Sequence, residues 1–413
     1  MHTVLSHPVI GFFLWLFIVI SLLPVALLPL ITAVPIYIFL ALALSDVGLM
    51  GLFLRAGSSA HRIGAVIVVV CVGVLAVVFS QRCATTPVIR GADGLPLPGS
   101  VAELKIVELN GRRQWITLRG QDAGKPVLLF LAGGPGGTQL AATRKVLAEL
   151  EKHYVVVNWD QPGAGKSYRA ADFSTLTPEQ YRDDALQLTH YLRERFGQER
   201  IHIMGESWGT MLGLWMAHDY PQLYHSFTAV APMVAFLETD LYDYELALKV
   251  SSDKGDSRTL KALQKQGPPP YYGKGVARKA ARYLMYLSNY MNSNPNINSS
   301  YDTFGDIFSP EYGLYDKVNY FRGLLKVMEV VWPQLWEVDF RQQITELEVP
   351  VQFIVGRHDV NAPPHLVEEY VEILKAPHKE LIWFEKSGHS PWMEERARMV
   401  EVMLGASQLE QIR

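Results

Sequence analysis

Between residues 9 and 45 this chain carries no charged side chain at all. No solvated surface is built that way. As one helix the run would extend about 55 Å at ~1.5 Å per residue, nearly twice the ~30 Å hydrocarbon core of a bilayer. Basic residues are also missing before it, and it far exceeds the roughly 7–15 apolar residues of a cleaved signal. A membrane anchor is the better reading. Cysteine is scarce: Cys71 and Cys83 are the two present. That excludes a disulfide framework, and no Cys/His spacing suggests zinc. No metal or cofactor is implied. A net charge of −3 and a pI near 6.5, with no basic run, exclude nucleic acid as a partner. No internal repeat is visible. With 413 residues, the chain is too long for one ordinary domain.

Pro24, Pro29 and Pro35 divide the uncharged run. The pattern predicts spans over 9–27 and 33–54, with a turn around residues 28–32, and a third span over 64–80. Asp46 and Gly51 interrupt the second span, so two spans are the alternative. Arg55 and Arg62 flank the loop before the third span, and Arg82 and Arg90 follow it. The positive-inside count is a tie, and the compact 55–62 loop is placed inside, with the large domain outside. Residues 1–80 are thus a transmembrane region. Residues 81–100, rich in Pro, Gly and small polar residues, read as a linker.

Beyond residue 100 short apolar runs alternate with amphipathic ones. Two strand patterns precede any helix, and strict strand–helix alternation follows. That predicts a mostly parallel α/β sheet with a hairpin at one edge, over residues 101–413. The alternation stops over about 236–347, in mixed helical patterns, Pro-rich loops and many aromatics, and strands resume at Val351. This is the pattern of a cap inserted between two strands.

The stretch "IHIMGESWGTMLGLW", residues 201–215, runs from a strand through a tight turn into a helix. G-x-S-x-G alone arises by chance in roughly one chain of this length in ten, given typical Gly and Ser usage. Its place between strand and helix is what makes Ser207 a candidate nucleophile. Gly205 and Gly209 suit such a turn, one for unusual backbone angles and one for close strand–helix approach. A serine needs a base, and the base an orienting acid. Asp359 in "VQFIVGRHDVNAPP" and His389 in "LIWFEKSGHSPWMEE" each fall just beyond a late strand, in the order Ser, Asp, His. All three then stand at carboxyl ends of strands, where sites in open α/β sheets form. Taken singly, Asp359 could cap a helix and His389 could be a loop histidine. His358, His365 and His378 are the competing imidazoles.

An oxyanion needs two backbone donors. Trp208 offers one, and the glycines of "LLFLAGGPGGTQ" a second. Neither this loop nor "DQPGAGKS" cradles phosphate: no Lys follows the first at P-loop spacing, and Asp160 stands where the second would need Gly.

These motifs together resemble the α/β-hydrolase superfamily, and within it the prolyl aminopeptidase (proline iminopeptidase) branch, over residues 101–413. "AGGPGG" at 132–137 is similar to that branch's His-Gly-Gly-Pro-Gly-Gly loop, "DQPGAGKS" at 160–167 to its Asp-Gln-Arg-Gly-x-Gly-x-Ser block, and "GESWGT" at 205–210 to its nucleophile turn. "GRHD" and "SGHS" stand where its acid and base stand. The resemblance implies an eight-stranded, mostly parallel sheet with helices on both faces and an inserted helical cap. It also implies Ser207 as nucleophile, Asp359 and His389 as its partners, and Gly134 and Trp208 as oxyanion donors. Ala132, Pro162 and Glu206 depart from the family's His, Arg and Gly. Glu206 is similarly placed to a glutamate that lies near the substrate carboxylate in serine carboxypeptidases; a carboxylate bonded only within the turn is the alternative. In the family's aminopeptidases cap acids bind the substrate α-amine. Among Glu238, Asp240, Asp243 and Glu245, the first and last are placed first for that role.

Three functions compete: a membrane-anchored aminopeptidase, an esterase or lipase whose anchor brings the cap to lipid, and a non-catalytic binding protein on a hydrolase fold. The partners implied are a small peptide or acyl substrate and a lipid bilayer. The complete Ser, Asp and His set argues against the third function.

Overall fold

The computed structural model describes residues 8–298 and 302–408. It comprises two compact units, residues 1–87 with 304–319, and residues 88–303 with 320–413.

The first unit is built on α1 (Pro8–Ile31), α2 (Ile36–Arg55) and α3 (Ser59–Arg82). Val25, Leu28, Leu42, Val72 and Ala76 meet at its centre. A Cβ on Gly73 would lie 2.6 Å from the Ser21 carbonyl oxygen, so glycine is what lets α3 lie close against α1. The outer surface is apolar: Val19, Leu30, Tyr37, Leu44, Val47, Ile67 and Val74 are exposed. Surface of this kind is costly in water, at about 25 cal/mol per Å². Two helices of the described residues, Ile36–Arg55 and Ala60–Arg82, are long and apolar enough to cross a membrane; the apolar helix Trp15–Ile31 is shorter. The sequence placed a turn near residues 28–32, but α1 continues to Ile31 with Pro24 and Pro29 inside it. The break falls at Thr32, whose Oγ1 accepts from Val34 N, and Pro35 then starts α2. Residues 304–319 are held in this unit by polar contacts. Gln81 Nε2 donates to Asp316 Oδ1 at 2.7 Å, Leu314 N to Ser80 Oγ at 2.9 Å, and Thr86 Oγ1 to Glu311 Oε1 at 3.1 Å.

The second unit has the α/β-hydrolase fold. Its strands are β1 (Val101–Leu109), β2 (Arg112–Gly120), β3 (Val127–Leu131), β4 (Val155–Asp160), β5 (Ile201–Glu206), β6 (Tyr224–Val230), β7 (Val351–Gly356) and β8 (Lys379–Phe384). They form one sheet in the order β1-β2-β4-β3-β5-β6-β7-β8. β1 and β2 make the expected edge hairpin, β2 is also antiparallel to β4, and the other pairs are parallel. β3, with the sequence VLLFL, reads as an unbroken apolar run because both its faces are covered. In β3, Val127, Leu129 and Leu131 face one core while Leu128 and Phe130 face the other.

Flanking the central strands are α4 (Leu140–Val146), α5 (Pro178–Phe196) and α6 (Trp208–Asp219). Local signals delimit α5: Thr177 accepts from Gln180 N, Pro178 opens the helix, and Gly197 closes it at φ 62°. Between β6 and β7 the chain forms α7 (Phe236–Asp253), α8 (Ser257–Gln266), α9 (Val276–Asn292), α10 (Thr303–Ile307), α11 (Leu314–Val331) and α12 (Phe340–Gln343). After β7 come α13 (Pro364–Ile373), α14 (Pro391–Glu394) and α15 (Arg396–Gln408).

Candidate active site

Ser207 sits between β5 and α6 with φ 51° and ψ −117°, a conformation that side-chain-bearing residues rarely adopt. Such strain persists only where the surroundings impose it, and it clusters at functional sites. Here two glycines impose it. A Cβ on Gly205 would lie 2.3 Å from the Gly209 carbonyl oxygen, and one on Gly209 would lie 2.0 Å from that of Leu131. Both glycines therefore serve close approach. The unusual backbone angle that the sequence assigned to one of them belongs to Ser207 itself.

Asp359 follows β7 and His389 follows β8. His389 Nδ1 is 2.9 Å from Asp359 Oδ2 and 3.1 Å from Oδ1. The same carboxylate accepts from Asn361 N at 2.8 Å and Ala362 N at 3.0 Å, which fixes its plane. Burial alone would lower the His389 pKa. The charge and hydrogen bond of Asp359, with the carboxylates of Glu206 and Glu394, outweigh it and raise the imidazole to about 9. His358, His365 and His378 take no part in the wall of the cavity described below.

The glycine loop after β3 approaches the nucleophile. A Cβ on Gly133 would stand 3.5 Å from Ser207 Cβ. Gly134 has φ 141°, and a side chain there would strike the Gly136 and Gly137 nitrogens at 2.6 and 2.7 Å. Trp208 N opens the first turn of α6, where backbone N–H groups lack intrahelical acceptors. "DQPGAGKS" braces this loop. Gln161 Nε2 donates to Ala132 O, Trp208 Nε1 donates to Gln161 Oε1, and Asp160 accepts from Thr138 Oγ1 and Lys166 N.

A cavity of about 380 Å³ brings these groups together; Ser207, His389, Gly134 and Glu206 border it, with Asp240 and Asp243 from α7. The rest of its wall is mainly apolar, including Met233, Leu284, Met285, Leu324, Met328 and Trp332. Glu206 is buried and fully engaged: it accepts from Gln139 Nε2, from Trp392 Nε1 at 2.8 Å and from Ser390 Oγ at 3.2 Å. All three partners lie outside the 205–209 turn, and Glu206 also borders the cavity.

The placing of Glu238 and Glu245 at the substrate needs correction. Both are exposed, Glu238 pairs with Arg341, and neither lines the cavity. Seven residues apart, they share the outer face of α7. Asp240 and Asp243 lie on the inner face with Phe236, Tyr244 and Ala247. Asp240 accepts from Tyr283 Oη at 2.7 Å and Trp332 Nε1 at 2.8 Å, and burial raises its pKa to about 7. Asp243 is fully buried, and neither carboxylate oxygen has a hydrogen-bond partner among the described residues. Burial, then the charges of Asp240 and Asp359, push its pKa well above the carboxylate range. The i, i+3 spacing of two acids beside inward-facing aromatics was the available signal.

Residues 126–263 match the family model for the alpha/beta hydrolase fold. The chain is 27% identical over 302 residues to a probable aminopeptidase, YbaC, of Bacillus subtilis, covering 73% of this chain and 95% of that one. It is 23% identical to the proline iminopeptidase of Heyndrickxia coagulans, over 72% of this chain and 96% of that one. Among solved structures, a Mycobacterium smegmatis proline iminopeptidase superposes with a TM-score of 0.56 at 20% identity, over 75% of this chain and 99% of that one.

Proposed function

We propose that this chain, an α/β-hydrolase of the proline iminopeptidase branch, is a membrane-anchored serine aminopeptidase that releases an uncharged N-terminal residue through an acyl-enzyme. Ser207 Oγ attacks the scissile carbonyl while His389 takes its proton and Asp359 holds the ring by Nδ1. The N–H groups of Trp208 and Gly134 receive the oxyanion. The C–N bond then breaks, the proton on His389 passes to the leaving amine, and the acyl group stays on Ser207. Water, deprotonated by His389, releases the product.

The observation that carries the substrate class is Asp243. A buried carboxyl with no partner is costly, and an ammonium group is the ligand that would satisfy it and Asp240 together. A neutral acyl ester offers neither charge nor donor at that point. The apolar remainder of the wall suits an uncharged side chain, proline included. Breaking a buried ion pair by removing one member costs about 3–5 kcal/mol, so a blocked terminus is rejected strongly. Membrane anchoring is supported by the apolar exterior of the helical unit and its two helices of spanning length.

The test is a panel of free aminoacyl arylamides, proline among them, beside their N-acetylated forms and neutral acyl esters. Free amides should be cleaved far faster. Equal or faster turnover of acetylated amides or long-chain esters overturns the reading in favour of an esterase.

A further inference from the structure

Residues 304–319 reverse the usual order of a protein surface. Their charged side chains, Asp306, Glu311, Asp316 and Lys317, are all buried, and so are Ser309 and Asn319. The exposed residues of the segment are Phe304, Phe308 and Val318, at 65%, 46% and 55%. Single exposed apolar side chains are ordinary. A segment that buries its charges and turns its phenylalanines outward is not.

The buried polar groups are satisfied from within. Lys317 Nζ donates to the carbonyl oxygens of Ile307, Ser309 and Tyr312 at 2.6, 3.2 and 2.8 Å. Asp316 accepts from Gly313 N at 2.9 Å as well as from Gln81, and Glu311 accepts from Thr86. Phe304 and Phe308 are left outside, one turn apart, with ring centroids separated by 6.1 Å.

The place of the segment along α3 says what replaces water. The 24 residues of α3 extend about 36 Å at ~1.5 Å per residue, slightly more than the ~30 Å hydrocarbon core. On the anchored reading its last turn therefore lies near the headgroups. Ser80 and Gln81 of that turn hold Leu314 and Asp316, and just beyond it Thr85 N donates to Pro310 O at 3.0 Å. Gly313 packs so closely on Gln81 that a side chain there would collide with it. The segment is thus fixed at the depth where acyl chains give way to headgroups. Interfacial elements bury an apolar face about 5–10 Å into that boundary.

We infer that residues 304–319 are a membrane-interfacial segment of the cap, with Phe304, Phe308 and Val318 set into lipid at the end of α3. The inference rests on membrane anchoring by the helical unit and goes beyond it: a segment inserted between β6 and β7 also contacts the bilayer. α11 begins in this segment, and its later residues Tyr320, Leu324 and Met328 line the catalytic cavity. The lipid contact therefore holds the first turn of a helix that walls the active site.

The experiment puts a polarity-sensitive thiol fluorophore on purified full-length protein reconstituted in phosphatidylcholine–phosphatidylglycerol vesicles. Cys71, exposed at mid-length on α3, is labelled in Cys83→Ser as the lipid-facing reference. Phe304→Cys, Phe308→Cys and Val318→Cys are each labelled in a background of Cys71→Ser and Cys83→Ser. Three separate positions keep the test valid if one variant misfolds. At all three, emission should be blue-shifted and spared by aqueous iodide. A nitroxide near the headgroup end of the acyl chain should quench it more than one near the terminal methyl. At Cys71 the order of the two nitroxides should reverse. Quenching by iodide at 304, 308 and 318, with Cys71 quenched from the lipid, overturns the inference and leaves the anchor standing. Protection from both iodide and nitroxides means that protein, such as a second copy of this chain, covers the patch, and overturns it as well. Absence of lipid quenching at Cys71 strikes the anchor itself and the inference with it.

Discussion

Asp240 and Asp243 stand one turn apart on the same buried face of α7, yet only Asp240 has hydrogen-bond partners, Tyr283 and Trp332, while Asp243 has none among the described residues. On the proposed aminopeptidase reading, Asp240 belongs to the scaffold and Asp243 meets the substrate amine. Asp243→Asn should therefore lower kcat/KM on free aminoacyl arylamides by about 10²–10³, the loss of a buried ionic contact, and close the gap with acetylated substrates. Thermal stability should hold, because the replaced carboxyl makes no hydrogen bond within the described residues that could be lost. Glu238→Gln and Glu245→Gln should leave the gap intact. Full activity in Asp243→Asn would refute the amine assignment.

Labelling by a neutral fluorophosphonate should occur at Ser207 and disappear in Ser207→Ala. The rate of labelling also reads His389 without interference from a substrate amine. Only neutral imidazole accepts the proton, so a pKa raised to about 9 moves the acid limb upward. The rate should climb with pH and reach half its maximum well above the ordinary histidine value of about 6.5. A midpoint at or below that value contradicts the charge environment described for His389.

Asp359→Asn should preserve the fold and cut turnover by about 10⁴, since the amide presents Nδ1 with the wrong partner and the ring with the wrong tautomer. His358→Ala, by contrast, should cost little. A loss as large as that of His389→Ala would show that the wrong imidazole was chosen.

Gly209→Ala tests the turn rather than the chemistry. The added carbon would stand 2.0 Å from a backbone oxygen that cannot rotate away. A loss of about 1–3 kcal/mol in stability is expected from such overpacking, with turnover lost as the Ser207 geometry shifts. Unchanged unfolding temperature and activity would mean that α6 has room the structure denies.

Full-length protein should stay with carbonate-washed membranes, because the uncharged run and the apolar exterior of the helical unit have no favourable aqueous state. Recovery of a soluble product beginning near residue 84 would argue for cleavage instead.

The sequence by itself determined what depends on neighbours in the chain. Short, largely apolar runs alternating with amphipathic ones specified the strand–helix alternation, and helix signals such as Thr177, Pro178 and Gly197 delimited α5. The order of "GESWGT", "GRHD" and "SGHS" along a strand–helix alternation put Ser207, Asp359 and His389 at strand ends of one sheet. What depends on partners far along the chain was decided only in three dimensions. The acids of α7 look alike in sequence; the face packed on Tyr283 and Trp332 buries two and leaves Glu238 and Glu245 in water. Nothing near Glu206 in the sequence names its partner Trp392, which lies 186 residues on and donates to it. Periodicity is a local property, whereas burial and electrostatic field are sums over the whole packed molecule.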